Sequence, residues 1–370
     1  MVCLIPRLAP AVLISTGDGT GNTTAPANDP GFANVVSTSI RTGSAVYLGN
    51  GWMLTDNHVG AGSSWINGVL YDVIPGSPHQ LLNTPGTTNA QFADLMLYQI
   101  NGRPNLPALQ ISRSAPVRGQ GVTMIGNGRD REVDESCFTV LNGEWTPVPS
   151  IVPYAYSGYG WESTNQIRWG TNKVDGVGFP HGSGATQNVS FSMSFSEYNA
   201  TPYEAIGTAG DSGGGVFTYN TTTKSWELSG LMYAYTQFNG EPANLSVFGN
   251  MTYAIQLSAY RDQILSYLTP GDVTGDGRVD IQDIARVANN WLKKTPTGDA
   301  NHDGLVDVRD ISYIANYYSR GGGADVGVTV VPEPESYVLA LAALAFFVPF
   351  ALQRISRRRS PAGCGSRSQT

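Results

Sequence analysis

Residues 43–60 read GSAVYLGNGWMLTDNHVG: two short β-like runs joined at Gly49-Asn50-Gly51 and ending in Thr55-Asp56-Asn57-His58-Val59. The same texture extends outward. From about residue 32 to 268 the chain is a series of short apolar runs, such as 95–100, 122–125, 189–193, 215–219 and 228–233, broken by Gly, Asn and Pro. Frequent turn signals without a long helical period predict an all-β barrel or sandwich. One helix is expected to close the region over residues 254–267, with Ile255, Leu257, Tyr260, Ile264 and Leu265 on one face.

Composition agrees. The chain has 370 residues, 41% of them hydrophobic, 44 glycines, and only 14% charged residues. That length accommodates a full-sized domain with smaller appendages. A formal charge of −7 argues against nucleic acid as the main partner, because phosphate binding needs a basic face. Of the three cysteines, Cys3 and Cys364 lie near the termini and only Cys137 belongs to the body, so no disulfide framework is expected.

Two further segments complete a chemical pattern. Ala93-Asp94-Leu95-Met96-Leu97-Tyr98 opens a strand with an aspartate, and Gly210-Asp211-Ser212-Gly213-Gly214 brackets a serine with glycines. A serine hydroxyl is a poor nucleophile at neutral pH and needs a base, for which histidine titrates in the useful range. Among the four histidines, His79 and His181 sit in Pro/Gly-rich loops and His302 in an acidic repeat, which leaves His58. Asp72 competes with Asp94 but lacks the following Leu-x-Leu pattern.

In the chain order His, Asp, Ser, these segments resemble the signature segments of the chymotrypsin-like serine proteases over residues 32–268. The resemblance implies a double β-barrel with His58, Asp94 and Ser212 as catalytic triad. It implies an oxyanion hole from the Gly210 and Ser212 N–H groups, worth about 3–4 kcal/mol per donor. It makes Asp211 a structural residue of the turn. Where trypsin-like members carry an aspartate at the base of the specificity pocket, this chain has Ile206, which implies cleavage after apolar or small residues and not after Arg or Lys. Asp56 and Asn57 replace the usual alanines, Gly215 follows where proline is common, and no Ile-Val-Gly-Gly start marks an activation cleavage. Catalysis itself calls for no cofactor.

Residues 270–319 change character: GDVTGDGRVDIQD, from Gly271, recurs as GDANHDGLVDVRD from Gly298. Asp272, Thr274, Asp276, Arg278, Asp280 and Asp283 take positions 1, 3, 5, 7, 9 and 12 of a calcium loop, with Gly277 at the sharp sixth position. Asp299, Asn301, Asp303, Leu305, Asp307 and Asp310, with Gly304, repeat it, so two Ca²⁺ ions are expected. Asp stands at position 12 in place of the Glu of an EF-hand, and Pro270 with the linker before it leaves no room for an entering helix. The pair resembles a type I dockerin module, implying a cohesin-like partner. Positions 10 and 11, Ile281-Gln282 and Val308-Arg309, lack the usual hydroxyl pair, and a calcium-stiffened spacer is the alternative. The amphipathic stripes expected after the loops are Ile281, Ile284, Ala288, Trp291 and Val308, Ile311, Ala315, Tyr318.

The ends speak of export. Residues 4–15, LIPRLAPAVLIS, read as a truncated signal peptide over 1–16 or equally as a first strand; 17–31 are a flexible lead-in. A linker over 320–335 carries Pro332-Glu333-Pro334, and residues 336–359 hold an uncharged apolar span of transmembrane length followed by Arg354, Arg357, Arg358 and Arg359. This resembles the PEP-CTERM sorting signal of Gram-negative bacteria, implying an exosortase-type processing enzyme, a membrane-anchored stage and a cell-surface or extracellular destination. The resulting expectation is an exported serine endopeptidase acting on protein or peptide substrates. A catalytically inactive protease-fold binding module and a scaffold-docked surface protein are its rivals.

Overall fold

The hairpin of residues 43–60 is present in the computed structural model, which describes residues 12–39, 43–182, 185–276 and 278–318. Ser44–Gly49 and Trp52–Thr55 pair antiparallel around Asn50, whose φ is 52°. Asn and the flanking glycines tolerate this left-handed turn. The second strand pairs onward, giving a five-stranded sheet in the order Val35–Ser37, Ser44–Gly49, Trp52–Thr55, Phe92–Gln99, His79–Leu82. Strand alternation sets its buried face: Ala93, Leu95 and Leu97 join Val46, Leu48 and Leu54 in one cluster.

Farther along, six strands close into a barrel: Arg168–His181, Asn188–Ser194, Met251–Gln256, Ser225–Tyr235, Gly215–Asn220 and Gly121–Gly126. Of the expected double barrel, only one barrel closes among the described residues; beside it lie the open five-stranded sheet above, a second five-stranded sheet of Arg129–Arg131, Tyr156–Asn165, Ser136–Leu141, Glu144–Val148 and Leu245–Val247, and two two-stranded ribbons. The edges of the first open sheet are met in other ways. Thr38 bridges to Ser64, and the Leu82 N–H donates to Gln263 Oε1 at 2.8 Å. The largest apolar cluster unites the two halves, joining Leu95 and Leu97 to Ile125, Phe217, Leu231 and Ile255 of the barrel. Each such fully buried side chain contributes roughly 1.5–3 kcal/mol.

Three expectations are corrected. Residues 254–256 are not helical: Met251–Gln256 is a barrel strand paired on both sides, followed by a 3-10 turn, Leu257–Ala259, and a helix α1 only at Arg261–Leu268. Ile255, Leu257, Tyr260 and Ile264 do share one cluster, but from strand, turn and helix in succession. Second, α1 ends just short of the first acidic loop, so a helix does precede it. Third, the buried stripes of the two helices after the loops, α2 (Ile281–Asn289) and α3 (Val308–Ala315), are rotated from those expected. Val287 and Ile314 are fully buried, whereas Ile281 and Val308 are 59% and 48% exposed. Capping boxes cause the rotation. Asp280 and Asp307 cap the helices while Asp283 and Asp310 reach back to the cap N–H, turning the acidic residue inward.

At the N-terminus, Leu13–Ile14 pairs with Ala205–Ile206, so the described part of that segment is a strand. Cys137 is a buried free thiol. The first eleven residues, Gly277, and everything from 319 on, with the PEP motif, the apolar span, Cys3 and Cys364, lie outside the described residues. Among the described residues no helix is long and apolar enough to cross a membrane.

Candidate active site and acidic loops

His58 stands on the turn that ends Trp52–Thr55, where the Asp56 carbonyl accepts the N–H groups of Val59 and Gly60, both at 3.1 Å. Asp94 lies on the adjacent strand, Phe92–Gln99, two residues before Met96, the partner of Thr55, and its carbonyl accepts the Asn57 N–H at 3.2 Å. Its carboxylate holds His58 twice: Oδ1 accepts the His58 backbone N–H at 2.9 Å, and Oδ2 lies 2.7 Å from ring Nδ1. Asp94 is itself fixed, since its N–H donates to Asn188 Oδ1 at 2.7 Å. With Asp94 ionised, Nδ1 carries the proton and Nε2 is left as the basic nitrogen.

Ser212 arrives from the other half. Its carbonyl accepts the Ser44 N–H at 2.8 Å, and Ser44 Oγ donates to the Gly210 carbonyl at 2.9 Å. Thr55 Oγ1 donates to the Ser44 carbonyl at 2.7 Å. Ser44 thus ties the serine loop to the sheet that carries His58 and Asp94. Sequence reading missed Ser44 and Asn188 because each acts on the backbone of a distant segment, and Thr55 because it acts through Ser44. The loop turns sharply at Gly210 and Gly213, with φ of 103° and 83°. The N–H groups of Gly210 and Ser212 are not committed to any acceptor among the described residues.

Asp211 is buried and accepts from the N–H groups of Thr208 and Gly128, both at 2.8 Å, from Thr208 Oγ1 at 3.1 Å, and from the Val12 N–H. Burial pushes its carboxyl up to about 6 despite these donors. Its partners are thus neutral donors, with the buried Arg168 close enough to be felt electrostatically. Asp56 is the anomaly. It is 0% exposed, neither carboxylate oxygen has a hydrogen-bond partner, and burial, with Asp94 nearby, raises its carboxyl well above the ordinary range. The Gly213 N–H gives little relief, being committed to the Met232 carbonyl at 2.8 Å.

Ile206 is 1% exposed and enclosed in a cluster with Leu13, Tyr159 and Phe195, on the strand pair with Leu13–Ile14. The rival residues are engaged elsewhere. Asp72 accepts from Ser63 Oγ, and His181 Nδ1 lies 2.5 Å from the Tyr233 hydroxyl. His79 and His302 both stack on Tyr267.

The two acidic loops repeat one hydrogen-bond scaffold. Asp272 Oδ1 accepts the N–H groups of Gly275 and Asp276 at 2.7 and 3.2 Å, and Asp299 those of Gly304 and Asp303 at 2.8 and 3.2 Å. Asp283 gathers the N–H groups of Thr274 and Asp280, and Asp310 those of Ala300, Asn301 and Asp307. Asp276 and Asp303 accept from Arg278 and Leu305, the position-7 residues. Gly304 has the left-handed φ, 88°, of a sharp sixth position. Burial, with Asp310 and Asp303 beside it, raises Asp299 to about 6. In the second loop Arg309 pairs with Asp303 and Asp307 at 2.9 and 2.8 Å. Among the described residues no three His, Cys, Asp or Glu side chains converge into a closed metal cage. The residues nonetheless suit a hard cation in kind: oxygen donors throughout, with Asp283, Asp299 and Asp310 buried and in no salt bridge among the described residues.

Residues 270–317 match the dockerin type I domain family. No curated protein matches the chain. Among solved structures it is similar to neuropsin, a serine protease expressed in the limbic system of mouse brain. The two are 15% identical with a TM-score of 0.40, over 67% of this chain and 99% of that one. Kallikrein-related peptidase 10 gives 14% identity and a TM-score of 0.38, over 64% and 95%. The MamO protease domain from Magnetospirillum magneticum gives 14% and 0.35, over 62% and 94%.

Proposed function

We propose that the chain is an exported serine endopeptidase of chymotrypsin-like type with the triad His58, Asp94 and Ser212. The observation that carries this reading is the twofold grip of Asp94 on His58, on a sheet to which Ser44 ties the Ser212 loop. In this reading Asp94 keeps the proton on Nδ1, and Nε2 takes the proton of the Ser212 hydroxyl as Oγ attacks the substrate carbonyl. The uncommitted N–H groups of Gly210 and Ser212 receive the developing oxyanion. His58 then returns the proton to the leaving amine, and water repeats the sequence to release the acyl group from Ser212.

Fluorophosphonate labelling of the full chain in calcium buffer tests it, beside Ser212→Ala and His58→Ala. Labelling lost in both variants supports the triad. A folded wild type that does not label would favour a binding module instead, for which the unpartnered Asp56 is the motive. Substrate preference belongs to the same proposal: a peptide library cleaved only after Arg or Lys would remove Ile206 as its determinant.

The acidic loops are proposed to bind two Ca²⁺ ions through Asp272, Thr274, Asp276, Asp280 and Asp283, and through Asn301, Asp303, Asp307, Asp310 and Asp299, with the carbonyls of Arg278 and Leu305. When bound, calcium supplies the positive charge that the buried carboxylates lack. A cohesin-like partner is the corresponding binding proposal, tested by pull-down. Export with an exosortase-processed tail rests on the sequence of residues 332–359 and is tested by mass analysis of the mature C-terminus.

A further inference from the structure

The β domain and the calcium module meet over one built interface, and helix α1 is its centre. Tyr267, on α1, is stacked on His302 of the second loop with centroids 3.8 Å apart and planes 6° from parallel. Tyr267 also stacks on His79 at 4.8 Å, and Trp52 meets it at 5.9 Å. The His302 ring also donates to the Ser266 carbonyl. Nearer the start of α1, Asp262 accepts from Arg286 of α2 at 3.3 Å. Gly275 of the first loop packs so closely on Arg261 and Leu265 that a Cβ there would touch both. Both loops and one helix of the module thus rest on the same eight-residue helix.

The interface continues to the catalytic strand. His79 belongs to the edge strand His79–Leu82, which pairs with Phe92–Gln99, the strand of Asp94. Gln80 Nε2 donates to the Ala93 carbonyl at 2.9 Å, and Leu82 is held by Gln263 of α1. His302 sits at position 4 of its loop, between Asn301 and Asp303, with a left-handed φ of 60°. Its ring is therefore placed by the loop backbone, which calcium would fix.

From this geometry we infer that the β domain carries a docking surface, formed by α1, Trp52 and His79, for the calcium-loaded form of its own residues 270–318. The module is a calcium-dependent brace on the strand of Asp94, not a free tether. The inference rests on the calcium reading and is independent of whether Ser212 is active. Linkage makes it reciprocal: a ligand that favours the docked module stabilises the domain on which it docks.

The test uses the full chain with calcium alone as the probe, comparing wild type in calcium and in chelator. Calcium is expected to raise the thermal midpoint of the β domain by about 5 °C. It is also expected to slow amide exchange in 79–82 and 92–99. His302→Asn keeps a residue that tolerates positive φ but removes the ring, and Asp262→Asn removes the pairing with Arg286. The double variant should still bind calcium, read by terbium luminescence, while the midpoint shift and the protection are lost. A wild type that binds calcium with unchanged midpoint and exchange overturns the inference, as does a full-sized shift in the double variant. Absence of calcium binding also overturns it. If the variants do not fold, the wild-type exchange comparison alone decides. Failure of fluorophosphonate labelling with the calcium shift intact would sink the protease reading and leave the brace standing.

Discussion

Asp94 grips His58 at two points, through the backbone N–H at 2.9 Å and ring Nδ1 at 2.7 Å, so position and tautomer of the imidazole are set by one carboxylate. Asp94→Asn cannot serve both contacts as an acceptor. A side-chain amide turned to keep the backbone bond presents N–H groups to Nδ1 and favours the tautomer with the proton on Nε2. Hydrolysis by this variant is expected to fall by about 10⁴ in kcat, with KM little changed and the thermal midpoint nearly that of wild type. A loss below tenfold would mean that Asp94 is not the orienting group.

Gly213 is required by two separate constraints. Its φ of 83° disfavours any side chain, and a Cβ there would run into the Ser44 carbonyl and Thr55 Oγ1, the contacts that tie the serine loop to the sheet. Gly143 has the same φ but open space around it. Gly143→Ala should therefore cost about 1 kcal/mol and leave fluorophosphonate labelling intact. Gly213→Ala should cost at least about 2 kcal/mol by denaturant unfolding and abolish labelling.

What was legible in the sequence was whatever is local. The turn at Asn50, the strand opening at Asp94, the glycines around Ser212 and the duplicated acidic loops each declare themselves within a few residues. What was not legible depends on pairing across long separations. Residues 254–256 carry the start of the apolar stripe expected of a helix and are strand because two barrel strands flank Met251–Gln256. Ser44 looks like an ordinary strand residue, and only the ladder shows that it holds Ser212. The apolar stripes of α2 and α3 were misplaced because the capping boxes turn Asp283 and Asp310 inward, a pattern that hydrophobic periodicity does not contain.

The acidic loops can be separated by one carboxylate each. Asp283 and Asp310 are fully buried and gather backbone N–H groups from across their loops, so each organises one loop and not the other. In the full chain, Asp283→Asn or Asp310→Asn is expected to reduce bound terbium from two ions to one, and the double variant to abolish binding. Retention of both ions by either single variant would show that position 12 is not a ligand.

Asp56 is a buried carboxyl without a partner, standing where the resemblance leads one to expect alanine. Burial first, and the nearby Asp94 second, raise its folded-state ionisation well above the ordinary value. In the unfolded chain an aspartate titrates near 3.9. The folded state therefore holds this proton more tightly. Asp56's contribution to stability is fully present below about pH 4 and is lost as the pH rises toward its folded value. Asp56→Ala removes the titration altogether. The variant and wild type should be about equally stable near pH 4, with the variant gaining about 1–3 kcal/mol by pH 8, read as denaturant midpoints across the range. Labelling of Ser212 should survive, because the Asp56 side chain bonds to neither His58 nor Ser212. A variant less stable than wild type at pH 8 would mean that the carboxylate is ionised against a bound water or cation, and that the site depends on it.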